Sequence, residues 1–98
     1  MKATKNDVNK NEIFEAFKKF GFSVQYLNGT AYGVPDLLVG KYGINLLVVI
    51  ERDAEDDAKK AVNHFIAKWR GEVHIVRDVD DVVVIFNEMT ARKKEGDL

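Results

Sequence analysis

Two acidic residues in this chain stand at the ends of apolar runs. Asp36 lies within Gly33-Val34-Pro35-Asp36-Leu37-Leu38-Val39, and Glu51 closes Leu46-Leu47-Val48-Val49-Ile50-Glu51. Burying an acid is costly unless it is paired or holds a cation. If the two runs form neighbouring strands, the acids can converge on one divalent metal. Backbone carbonyls and water would then complete an oxygen shell of the kind Mg²⁺ prefers. Strand side chains alternate between faces. A strand continuing past Glu51 therefore sends Asp53 to the same side as Glu51 and Arg52 to the other.

The elements that must position these residues follow from periodicity and punctuation. Ile13, Phe17 and Phe20 recur at helical spacing, which predicts a first helix from about Asp7 or Asn11 to Phe20, stopped by Gly21. Phe22 to Leu27 alternates apolar and polar residues as a strand does, and Asn28-Gly29-Thr30 reads as a turn. A second strand runs from Pro35 to Lys41, and Tyr42-Gly43 closes a hairpin to a third, Ile44 to Glu51. The third strand is apolar on both faces and belongs in the middle of the sheet.

Ala58, Val62, Phe65 and Trp69 define a second helix, about Glu55 to Arg70, with Trp69 expected in its packed stripe. Glu72 to Val76 is a short strand that should lie parallel to an earlier one, across a helical crossover. Val82-Val83-Val84-Ile85-Phe86 has strand propensity. However, Val82, Ile85, Phe86 and Met89 sit at helical spacing, Asp78 or Asp80 can cap, and Asp80 and Asp81 suit a first turn. A last helix from about Asp80 to Lys93 is predicted. The order is αβββαβα, an α/β fold with a mixed sheet flanked by helices.

Composition narrows the function classes. The chain has 98 residues, 46% hydrophobic and 32% charged, which suits one domain spanning 1–98, with 1–8 and 94–98 expected to be flexible. It has no cysteine, which excludes disulfides and thiolate metal sites. No apolar run is long enough to span a membrane, and the polar N-terminus lacks a signal-peptide core. The formal net charge is -1, so any nucleic-acid binding must rest on a local basic patch.

The motifs resemble those of the PD-(D/E)xK nuclease superfamily, and within it the VRR-NUC branch, which includes Holliday-junction-resolving-type enzymes. The resemblance covers about Asn11 to Met89. It rests on Glu12-Ile13, Phe22-Ser23-Val24, Gly33-Val34-Pro35-Asp36-Leu37-Leu38-Val39-Gly40, Leu46 to Glu51, and Trp69-Arg70-Gly71 followed by Val73-His74-Ile75-Val76-Arg77 and Val79-Asp80. It implies a restriction-endonuclease-like core and a metal-dependent endodeoxyribonuclease that hydrolyses phosphodiesters in branched, Holliday-junction or flap-like DNA. Mg²⁺ or Mn²⁺ would be held by Asp36 and Glu51, with Glu12 as a third acid, and would polarise the scissile phosphate and activate water.

The family pattern also expects a lysine two residues beyond Glu51, where this chain has Asp53. An acid cannot replace an ammonium beside a developing negative charge, but it can join a metal shell. Asp53 is therefore grouped with Asp36 and Glu51 as a catalytic candidate. The resemblance also implies a second-helix glutamine near the active site; Asn63 or His64 lies closest to that place, and Asn63 is the candidate. Lys59 or Lys60 can supply the missing charge by swinging back from the second helix. Lys10, Lys41 and Arg70 complete the candidate phosphate contacts.

A homodimer is expected, because a four-way junction presents two symmetric cuts; exposed apolar residues of the last helix such as Val84 are candidate interface material. The expected location is the cytoplasm of a bacterial or phage-infected cell. The competing reading is a catalytically impaired relative that binds DNA structure or a protein partner. It is favoured by Asp53 and the acidic run Asp53, Glu55, Asp56, Asp57.

Overall fold

The computed structural model describes residues 5–27, 33–51 and 56–96. The elements are α1 (Lys5–Lys19), β1 (Ser23–Tyr26), β2 (Leu37–Lys41), β3 (Ile44–Ile50), α2 (Asp56–Lys68), β4 (Val73–Val76) and α3 (Val79–Lys94). This is the expected αβββαβα order. Helix α1 begins at Lys5, ahead of the expected start at Asp7 or Asn11. The expected turn at Asn28-Gly29-Thr30 lies outside the described residues.

The four strands form one mixed sheet in the order β1-β2-β3-β4. The first three run antiparallel as a meander, and β4 pairs with β3 in parallel. Strand β3 is thus internal, as its two apolar faces require. The β2–β3 connection is a two-residue turn, closed by the Lys41–Ile44 pair. Tyr42 (φ 56°) and Gly43 (φ 80°) are both left-handed, the type I′ geometry that matches strand twist.

One sheet face carries the core. Leu37, Val39, Leu46, Val48, Ile50 and Val76 pack against Ile13, Ala16 and Phe17 of α1 and Val82, Ile85 and Met89 of α3. Helix α1 stops where expected: Gly21 N–H donates to Lys18 O and Phe22 N–H to Phe17 O. This pair of bonds satisfies the orphan carbonyls of the last turn. The Phe17 and Phe22 rings then meet edge to face, 5.1 Å between centroids, which ties the helix end to β1.

The valine run of α3 is helical despite its propensity. Asp78 caps the helix by accepting from Asp81 N–H, and Val82, Ile85 and Met89 all reach the core from one stripe. Capping and burial together outweigh β-branching. Helix α2 differs, because its stripe of Ala58, Val62 and Phe65 is only half-buried and joins no part of that core.

Candidate active site

Strand directions bring Asp36, Glu51 and Arg77 to one end of the sheet. Asp36 immediately precedes β2 and Glu51 immediately follows β3. Because β2 and β3 are antiparallel, the start of one and the end of the other share one end of the sheet. Strand β4 runs with β3, and Val76 lies level with Ile50, so Arg77 arrives beside Glu51. The N-terminal half of α1 reaches the same end through Asn9 and Lys10.

Asp36 is held on both sides. Its amide donates to Val48 O (2.9 Å) and its carbonyl accepts from Leu27 N–H (3.0 Å). Its Oδ2 accepts from Ile50 N–H at 2.7 Å, so the carboxylate replaces a carbonyl in the ladder. The other oxygen, Oδ1, faces Lys10 Nζ at 3.8 Å. Lys10 also lies over the Tyr26 ring, 5.4 Å from its centroid. Tyr26 stacks on Phe14, with centroids 4.4 Å apart. Burial, and then the nearby negative charge of Glu15, raise the Tyr26 pKa. Its hydroxyl is therefore protonated at neutral pH and can donate a hydrogen bond but cannot serve as a base.

Glu51 donates its amide to Val76 O (2.9 Å), which extends the parallel ladder. Its Oε2 pairs with Arg77 Nε at 2.6 Å, in an open setting with side chains 51% and 69% exposed. The backbone of Arg77 is fixed although its guanidinium is exposed. Its carbonyl accepts from Asn9 Nδ2 (2.7 Å) and its amide donates to Asp81 Oδ2 (2.8 Å). Among the described residues, the site thus presents two carboxylates that face cations of the chain, Asp36 with Lys10 and Glu51 with Arg77.

The donor chemistry suits a hard divalent cation. Asp36 and Glu51 supply oxygen, and Mg²⁺ commonly takes one or two carboxylates and keeps several waters. No third acid joins them among the described residues, where no group of three His, Cys, Asp or Glu gathers as a metal site. Glu12 is exposed on α1. Asp53, like Arg52, lies outside the described residues.

The remaining candidates separate by position. Asn63, Lys59 and Lys60 are exposed on α2, which begins shortly after Glu51. Lys41 is at the opposite end of β2 from Asp36, where its ammonium lies over the Tyr42 ring, 4.7 Å from the centroid. Arg70 precedes β4, at the end of the sheet away from Glu51. These two basic residues are therefore not near the carboxylates. Trp69 does not pack into the core as expected: it stacks on Phe65, centroids 5.1 Å apart, and stays 50% exposed. Helix α2 covers too little apolar surface to enclose it.

Gly33 lets the chain approach Asp36 beneath α2. Its φ is +85°, and a Cβ placed there would sit 2.8 Å from Ala61 Cβ and 2.9 Å from the Ala61 carbonyl. Both the conformation and the close approach require glycine.

Sequence reasoning missed Asn9 and the pairing role of Arg77. The signal for Arg77 was available: in a parallel pair, the residue just after β4 must lie level with the residue just after β3.

No family model matches this sequence, and neither does any curated protein. Among solved structures, the chain is similar to a VRR_NUC domain, at 24% identity and a TM-score of 0.60. The match covers 87% of this chain and 97% of that one. The chain therefore has the α/β, restriction-endonuclease-like fold of a VRR_NUC domain. No helix among the described residues is long and apolar enough to cross a membrane.

Proposed function

We propose that this chain is a VRR-NUC nuclease that hydrolyses phosphodiesters in branched DNA with Mg²⁺ or Mn²⁺. The observation that carries the reading is the meeting of Asp36 and Glu51 at one end of adjacent strands, in this fold. Asp36 and Glu51 would hold the metal. When bound, it supplies Lewis-acid polarisation of the phosphate and a more acidic water. The chain's own residues do the rest. The Ile50 amide orients Asp36, and Lys10 balances its charge. Arg77 balances Glu51. On this reading Asn63, Lys59 and Lys60, which are exposed on α2, would meet the DNA backbone, and Asp53 would add a further acid to the shell. The reading carries with it a homodimer matched to a twofold junction and a cytoplasmic setting in a bacterial or phage-infected cell.

The test is cleavage of labelled four-way-junction, flap and linear DNA in Mg²⁺ and in Mn²⁺. Native protein should cut branched substrates, whereas Asp36→Ala and Asp36→Asn should not. Asparagine retains an acceptor for Ile50 N–H and so separates loss of the charge from loss of the fold.

A second reading is favoured by Asp53 in place of the motif lysine and by the pairing of both carboxylates with the chain's own cations. In that reading the chain binds DNA structure or a protein partner without cutting. Cleavage by an Asp53→Lys protein but not by the native chain would establish it.

A further inference from the structure

We infer that Arg77 is the site's exchangeable cation: it neutralises Glu51 at rest and turns to the scissile phosphate when Glu51 serves as a metal ligand. The inference rests on the nuclease reading above and assigns a phosphate-contacting residue to it. The geometry separates the two ends of this side chain. The backbone is fixed from both sides, by Asn9 of α1 and by Asp81 of α3. The Arg77 side chain is 69% exposed and meets the Glu51 side chain, itself 51% exposed.

An ion pair this open is worth little, because water solvates both partners well. Opening it therefore costs little, and the fixed backbone keeps the freed guanidinium beside Glu51. The planar guanidinium suits a phosphate, which it can grip with two parallel N–H bonds. Arg77 engages one oxygen of Glu51, Oε2, and a divalent cation drawing on the same carboxylate charge weakens its hold on the guanidinium. Metal entry thus favours release of Arg77, which offers a positive charge beside Glu51 in a chain whose sequence lacks the motif lysine. Lys10 stands in a comparable relation to Asp36, but 3.8 Å away and over the Tyr26 ring.

The test uses the full chain and Mn²⁺ as the probe. Free Mn²⁺ is followed by electron paramagnetic resonance during titration of native, Arg77→Gln and Arg77→Lys proteins, with circular dichroism melts as the control for folding. Four-way-junction cleavage is then measured at saturating Mn²⁺. Removing the competing cation should tighten Mn²⁺ binding by Arg77→Gln up to about fivefold, the ceiling for an exposed pair. Cleavage by the same variant should fall by about tenfold or more, with partial recovery in Arg77→Lys. Tighter metal with slower cutting is a combination that a purely structural arginine does not produce. If native protein binds Mn²⁺ and cuts, but Arg77→Gln binds Mn²⁺ no tighter or cuts as fast, the inference fails and the nuclease reading stands. If native protein neither binds Mn²⁺ nor cuts, both fail together.

Discussion

The two ends of the sheet use lysine in opposite ways. At the hairpin end, Lys41 Nζ lies over three rings, Tyr42 (4.7 Å), Phe22 (5.7 Å) and Phe86 (5.7 Å). Lys93 covers Tyr42 as well, 4.5 Å from its centroid. These cations are packing pieces, their charges resting on aromatic faces. At the other end, Lys10 and Arg77 face carboxylates instead. There each charge meets a carboxylate, Asp36 or Glu51, in place of a ring. A basic residue near a strand end therefore says nothing about phosphate until its partner is known.

The comparison is most severely tested at Asp36. On the proposed nuclease reading, Asp36→Asn should reduce branched-DNA cleavage at least about a hundredfold, because the proposed metal ligand is lost. Its melting temperature should change much less, since the amide oxygen can still accept from Ile50 N–H. An equal loss of stability and activity would mean that Asp36 is structural only. Next in size is Gly33→Ala. Forcing a methyl group against Ala61 should destabilise the chain by about 1–3 kcal/mol, read by chemical denaturation.

Lys41→Ala and Lys10→Ala make the direct contrast. Lys41→Ala should cost about 0.5–2 kcal/mol of stability and leave DNA affinity unchanged. On the proposed nuclease reading, Lys10→Ala should change metal and DNA affinity with little effect on melting. A reversed outcome would exchange the roles of the two ends.

The smallest effect lies on the outer part of the molecule. Glu72 accepts from Arg92 Nη1 at 2.8 Å and lies 3.2 Å from His74 Nε2. Burial pushes its pKa up, but these two hydrogen bonds and the charges behind them outweigh burial and lower it. A lowered carboxyl contributes stability above the unfolded glutamate pKa of about 4.3 and loses it as pH falls through the folded value. Glu72→Gln should flatten that acid limb by less than about 1 kcal/mol, since the pair is exposed. Melts from pH 6 down to about pH 3 would show it. No difference between the proteins in that window would remove Glu72 from the acid response.

Much of the architecture was readable from residue order. The alternation in Phe22 to Leu27, the Tyr42-Gly43 turn and the doubly apolar third strand specify a meander. The capping aspartates settled the valine run in favour of helix. That Asp36 and Glu51 share one end of the sheet was legible, because one opens an apolar run and the other closes one. The site's cations were less so. Lys41 could have been set aside from strand direction alone, as it closes the strand that Asp36 opens. Trp69 was misread because helical spacing reveals a stripe without revealing how much surface covers it. Asn9 carries no local signal: it meets Arg77 across 68 residues of sequence, through packing alone.

That long separation gives the site a history within folding. The meander joins Asp36 to the third strand through neighbouring segments, whereas β4 must first travel across α2. Contacts distant in sequence form late, since the chain must be closed before they repay its entropy. On that order Asp36 and Glu51 come together before Arg77 arrives with β4, while Lys10 reaches Asp36 from α1. Pulse-labelled hydrogen exchange during refolding should protect the Ile50 amide before that of Arg77; simultaneous protection would mean that the sheet closes in one step.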